Sequence, residues 1–153
     1  IESIVGSVRC LEVTDQTGSN NTSTVSVGSN SASGDNSIVQ TITGSSNTTT
    51  VNVGNSAAVD DADVDIVATG DSNTITVNEN STATMLLTDK KVTSITAIGG
   101  SNTITSTHTG AADQDTTLHH TGSSSTFSIT QGGAYSGTVD MTTVGSVHHV
   151  TVP

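Results

Sequence analysis

The densest group of chemically capable side chains is the run Asp60-Asp61-Ala62-Asp63-Val64-Asp65. If Val64 and Ile66 point inward on a strand, Asp61, Asp63 and Asp65 share the outward face, because successive strand side chains alternate. Three carboxylates in line repel one another unless a cation lies between them. Asp61, Asp63 and Asp65 are therefore the candidate metal ligands, and calcium is the fitting ion. The sequence lacks the G-G-x-G-x-D nonapeptide of calcium-binding β-rolls, so a solvated acidic rim with no cofactor is the competing expectation. The histidines are His108, His119, His120, His148 and His149. Adjacent residues on a strand face opposite ways, so neither His pair chelates one ion by itself. There is no G-x-S-x-G, H-E-x-x-H, P-loop or C-x-x-C motif, and the chain is not expected to be an enzyme. The single cysteine, Cys10, has no internal disulfide partner and fits the role of a small buried apolar residue.

The composition narrows the classes further. Hydrophobic residues are 31% of 153 and charged residues 11%, both well below ordinary soluble domains. The missing apolar mass is replaced by Thr, Val and Ile, which favour strands, so the chain reads as ordered β-structure with a thin core rather than as disorder. With three Lys and Arg residues (Arg9, Lys90, Lys91) and a net charge of -11, the surface repels phosphate backbones and anionic lipid. Nucleic acid is excluded as a partner, and no apolar run is long enough for membrane insertion. The chain opens at Ile1 rather than Met, which points to a processed product.

What must position these residues is a repeat. Units of the form G-x-x-N open at Gly18, Gly44, Gly70 and Gly99, with degenerate copies at Gly122 and Gly145, at spacings of 26, 26, 29, 23 and 23 residues. After each opening, alternate positions form one face. These are Asn21, Ser23, Val25, Val27; Asn47, Thr49, Val51, Val53; Asn73, Ile75, Val77; Asn102, Ile104; Ser125, Phe127, Ile129; and His148, Val150, Val152. A second strand signal follows in each unit: Ile38, Gln40, Ile42; Val64, Ile66, Ala68; some register of Val92–Ile98; the region of Leu118; and Val139, Met141. Two strands per unit, repeated in tandem, describe an all-β fold, a β-solenoid of about five two-stranded coils. Its structural ladder is Asn21, Asn47, Asn73 and Asn102 with Val25, Val51, Val77, Ile104, Phe127 and Ile129, and stacked Asn residues are expected to form side-chain amide ladders along the axis. Residues 18–153 form the repeat domain. Residues 1–17 form a separate N-terminal strand segment, available as a contact or donor strand.

The unit G-x-x-N-x-x-x-V resembles the repeat of curlin, the main subunit of bacterial curli fibres, which runs roughly S-x5-Q-x-G-x-G-N-x-A-x-V-x-Q. The resemblance covers about residues 18–152, and the last two spacings match the length of that repeat. It departs at the Gln positions: Val27 and Val53 stand where the family places Gln, and only Gln40 and Gln131 keep it. The resemblance implies a strand-turn-strand solenoid that serves as an extracellular, amyloid-like fibre subunit at the cell surface.

A solenoid has two open ends, and exposed strand edges template further pairing. Both termini here carry Val-Gly-Ser-Val followed by a strand signal. A head-to-tail homopolymer is expected, with Arg9, Cys10, Leu11 and Val13 of one subunit pairing with His148, Val150 and Val152 of the next. The alternatives are a monomeric binding module, either a calcium-dependent adhesin or an ice-binding protein, and the stalk of a phage or surface fibre. The outward residues Thr22/Thr24, Thr48/Thr50, Thr74/Thr76, Thr103/Thr105 and Thr126/Ser128 form a Thr-x-Thr array that resembles the face of Thr-x-Thr antifreeze solenoids.

Overall fold

The alternation of apolar and polar residues is realised as parallel strands. The computed structural model describes residues 2–4, 10–27, 35–54, 61–80, 90–110, 113–133, 137–146 and 149–151. Among them are thirteen strands: β1 (Glu2–Ile4), β2 (Cys10–Thr17), β3 (Thr22–Val27), β4 (Asn36–Thr43), β5 (Thr48–Val53), β6 (Ala62–Thr69), β7 (Thr74–Asn80), β8 (Lys90–Ile98), β9 (Thr103–Gly110), β10 (Asp113–Thr121), β11 (Thr126–Gly133), β12 (Gly137–Val144) and β13 (His149–Thr151). They lie in two sheets, ordered β1-β3-β5-β7-β9-β11-β13 and β12-β10-β8-β6-β4-β2. Every pairing is parallel and joins equivalent strands of successive repeats, so the molecule is a β-solenoid. The segment expected to stand apart at the N-terminus carries two of these strands: β1 pairs with β3 and β2 with β4 of the same chain.

The G-x-x-N element is the corner that carries the chain from one sheet to the other. Its first residue is glycine for two reasons. Gly44 and Gly70 have φ of 123° and 130°, where L side chains are strained. A Cβ on Gly44 would also lie 2.1 Å from the Gly18 carbonyl oxygen, and one on Gly70 would lie 2.2 Å from that of Gly44. The third corner residue is left-handed too: Asn20, Ser46, Ser72, Ser101 and Ser124 have φ between 56° and 61°. Short polar side chains visit this region more readily than others, but each serine there still costs of order 1 kcal/mol. The corner backbone is paired from coil to coil, with Gly44 N–H donating to Thr69 O at 2.9 Å, Ser46 N–H to Asp71 O at 3.0 Å and Thr74 N–H to Asn47 O at 2.8 Å. The turn therefore leaves these polar groups satisfied without a helix or cap.

The fourth corner residue closes the arrangement, and differently from expectation. Its side chain bridges to backbone rather than to another amide. Asn21 N–H donates to Asn47 Oδ1, Asn47 N–H to Asn73 Oδ1 and Asn73 N–H to Asn102 Oδ1, each at 2.9 Å. The amide nitrogens donate to corner carbonyls: Asn47 to Gly18 O at 2.9 Å, Asn73 to Gly70 O at 3.1 Å and Asn102 to Gly99 O at 3.0 Å. These corner N–H and C=O groups are buried or part-buried, so the amide serves them first. An amide-to-amide rung does occur on the outside, where Asn78 Nδ2 donates to Asn52 Oδ1 at 3.0 Å.

The apolar part of the core lies between the sheets. Val25, Val51, Val77, Ile104, Phe127 and Ile129 are buried, as are Ile38, Ile42, Val64, Ile66, Ala68, Ile95, Ala97 and Leu118 of the second sheet. The open register of residues 92–98 resolves with Lys91, Thr93, Ile95 and Ala97 inward. One column is interrupted: Val25, Val51 and Val77 stack in register, but the next partner is Ser106.

Gly70→Ala is expected to lower unfolding stability by at least ~1–3 kcal/mol, from the strained backbone and the clash with the neighbouring coil. Ser72→Gly, which relieves a left-handed serine, is expected to be near neutral or mildly stabilising. Urea denaturation followed by circular dichroism measures both.

Candidate functional site

Three features carry chemistry: two unlike outer faces, a polar island in the interior, and the end strands. The outer face of the six-stranded sheet is acidic. Asp15 on β2, Asp63 and Asp65 on β6, Asp113 and Asp115 on β10 and Asp140 on β12 all point outward from their strands. Asp61 lies just before β6 and is exposed, as is Asp63. Asp61 and Asp65 are four residues apart along an extended chain, about 13 Å, too far to share an ion, so Asp61, Asp63 and Asp65 are not brought together as three ligands. Among the described residues no three His, Cys, Asp or Glu side chains form a group able to hold a metal ion. Desolvation, then the charges of Asp65 and Glu79, push the Asp63 carboxyl above its ordinary 3.8.

The outer face of the seven-stranded sheet carries no charge over β3, β5, β7, β9 and β11. Its outward residues are Thr, Ser, Asn or Gly. The expected Thr-x-Thr array is in strict register: Thr22, Thr48, Thr74, Thr103 and Thr126 form one column, and Thr24, Thr50, Thr76, Thr105 and Ser128 the next.

The interior holds a polar island that the sequence reading did not anticipate. Glu79, Lys91, Thr93, Ser106, His108 and Thr116 are all buried, at 0–1% exposure. Glu79 Oε1 accepts from Thr93 Oγ1 at 2.7 Å. Glu79 Oε2 lies 3.0 Å from His108 Nδ1. That approach is favourable only with a proton on Nδ1, because a bare lone pair would face the carboxylate. His108 Nε2 then accepts from the hydroxyls of Ser106 (2.8 Å) and Thr116 (3.1 Å). Lys91 Nζ donates to the carbonyls of Glu79 (3.2 Å) and Thr109 (3.3 Å). Burial drives the Lys91 ammonium below its ordinary 10.5, and the Glu79 carboxylate partly offsets this. Gln131 extends the network, donating to Thr116 Oγ1 at 3.1 Å and to Gln114 O at 3.2 Å.

The order Ser106–His108–Glu79 matches the nucleophile, base and orienting acid of a hydrolytic triad. All three side chains are enclosed between the two sheets at 0% exposure, so the arrangement contributes to packing the interior. Its signal was present in the sequence. Glu79 continues the inward alternation of Ile75 and Val77, His108 that of Ile104 and Ser106, and Lys91 that of Ile95 and Ala97. A second histidine replaces a missing corner amide. Ser125 stands at the Asn position and its Oγ accepts from Asn102 N–H at 3.1 Å. His120 Nε2 lies 3.0 Å from Gly99 O, the carbonyl that Asn102 Nδ2 also serves, and 2.9 Å from Ser125 Oγ.

At the ends, β1 and β2 are the outermost strands on one side and β13 and β12 on the other. Of the residues expected to form the polymer contact, Cys10, Leu11 and Val13 lie on β2 and Val150 on β13; Arg9, His148 and Val152 lie outside the described residues. Val13 is 66% exposed, and Val139 and Met141 on β12 are only partly buried against the core. Among the described residues no helix is long and apolar enough to cross a membrane.

Compared with known proteins, the chain matches no protein family, no curated protein and no solved structure at a significant level.

Glu79→Ala is expected to cost ~3–5 kcal/mol by leaving the buried lysine and histidine uncompensated, whereas Glu79→Val with Lys91→Ala loses less. Chemical denaturation gives both values. The depressed Lys91 means that the folded state binds fewer protons than the unfolded state between its lowered value and 10.5. Stability is therefore expected to rise with pH through that window up to 10.5, and Lys91→Met to flatten the rise in denaturation midpoints measured against pH.

Proposed function

We propose that the chain is the structural subunit of an extracellular, curli-like filament that grows by stacking copies end to end along the solenoid axis. One observation carries this reading: the residue before each corner glycine pairs with the residue before the next. Thr17 stands opposite Thr43, Thr43 opposite Thr69, Thr69 opposite Ile98, Ile98 opposite Thr121 and Thr121 opposite Val144. The same step taken once more sets Val144 of one copy opposite Thr17 of the next, with Met141 over Thr14 and Thr142 over Asp15. Each such neighbour contact within the six-stranded sheet joins eight or nine residue pairs. A junction of that kind supplies another full ladder and covers the partly exposed Val139 and Met141.

The junction first expected, residues 9–13 against residues 148–152, joins strands of different sheets, since β2 belongs to the six-stranded sheet and β13 to the seven-stranded one. Continuing each sheet instead sets β12 against β2 and β13 against β1. The contact is heterologous and does not close on itself, which is the geometry of an open polymer. The resemblance to the curlin repeat supports the same reading, as does the acidic outer face, which keeps stacked copies soluble.

Purified protein is expected to form unbranched filaments by electron microscopy, with a cross-β axial repeat of about 4.8 Å. In a Cys10→Ser background, Asp15→Cys with Thr142→Cys is expected to give a ladder of covalent oligomers on oxidation. Protein that stays monomeric when seeded overturns the filament, and filaments without cross-links overturn the junction.

A further inference from the structure

The two outer faces divide the surface by charge, and this bears on what lies beside a filament rather than at its ends. On the six-stranded face the carboxylates of Asp15, Asp63, Asp65, Asp113, Asp115 and Asp140 recur along the axis. The opposite face presents two columns of threonine hydroxyls and a third column, Ser26, Asn52, Asn78, Thr107 and Thr130, all without charge. In a molecule of net charge -11, this is, among the described residues, a broad face without charge, which a like molecule approaches without repulsion.

Resting on the filament reading, we propose that the seven-stranded outer face is the lateral contact between filaments, and that its occupant is the same face of a second copy. In-register, parallel strands place the three columns about 6.6 Å apart, so the ridges of one sheet fit the grooves of another. The hydroxyl and amide groups that point outward find partners across such a junction without desolvating a charge.

The area says when this contact forms. Five strands about 4.8 Å apart, with three to four outward residues each, make a face of roughly 500 Å² per copy. Two copies together bury on the order of 1,000 Å², the low edge of specific interfaces, so a pair of single subunits associates weakly. Along a filament the same patch repeats with every subunit, and the contacts act together. Bundling therefore follows polymerisation and does not precede it.

The test compares three proteins by electron microscopy and sedimentation under identical polymerising conditions. The wild type is expected to show paired or bundled filaments. Thr50→Glu with Thr103→Glu places charge on the neutral face, and the fraction of filaments in lateral contact is expected to fall roughly tenfold. Thr41→Glu with Thr117→Glu adds the same charge to the acidic face and is expected to leave bundling as in the wild type. Circular dichroism and urea midpoints establish that both variants fold. Wild-type filaments that remain single, or equal loss in both variants, overturn the lateral contact while leaving the filament intact. No filaments from any protein overturn the filament reading, and the lateral contact falls with it. Thermal hysteresis of the wild type that disappears in Thr50→Glu with Thr103→Glu assigns the face to ice and overturns the proposal.

Discussion

The fold depends on how closely one corner lies on the next. A glycine with no Cβ lets the Gly18 carbonyl reach within what would be 2.1 Å of a side chain on Gly44, and the relation recurs from coil to coil. That contact sets the axial step, because backbone N–H groups of one corner then meet carbonyls of the next at 2.8–3.2 Å. The step in turn fixes which strand lies above which, and through the alternation of side chains it decides which residues are inside. A sequence with 31% hydrophobic residues can hold such a fold because the ladder, rather than a thick core, supplies much of the cohesion. The asparagine at the fourth corner position shows the same economy. The Asn73 side chain alone accepts from the buried N–H of Asn47 on the coil before and donates to the Gly70 carbonyl of its own corner.

The two sheets carry different outer surfaces over similar inner linings. Both are lined inside by β-branched residues, but only the six-stranded sheet places aspartate at outward positions. Asp63 illustrates the cost: desolvation first, then the charges of Asp65 and Glu79, raise its proton affinity, so acidification relieves that cost. The threonine face has no such tension. Its residues are strand formers whose hydroxyls stay solvated or meet another hydroxyl, and the columns remain in register over five strands.

Much of this was legible in the residues. The G-x-x-N spacing gave the corners, and the alternation of Val51 with Val53 and Ile75 with Val77 gave the inward face of the seven-stranded sheet. The outward threonines followed from the same parity. What escaped was of three kinds. The asparagine side chain was assigned to its like neighbour, because a one-dimensional repeat does not display the corner backbone that competes for it. Residues 91–97 leave their register open in the sequence because Lys91 and Thr93 occupy inward positions where an apolar residue is expected. The buried Glu79, His108 and Lys91 were passed over for the same reason: a charged residue at a core parity reads as the end of a strand, and only the opposite sheet reveals its partner.

That island has a consequence for how the chain finds its own order. Coils cornered alike are nearly interchangeable, and a folding chain can lay one a full step out of place while keeping most of its backbone bonds. Glu79 stands in the column of Val53, and Lys91 in the column of Ala62. A slip of one coil would seat a carboxylate and an ammonium in two slots shaped for a valine and an alanine, away from the imidazole and hydroxyls that receive them. The acid, the base and the histidine thus act as a keyed notch in an otherwise uniform stack, and the native count of coils is the arrangement in which the key turns.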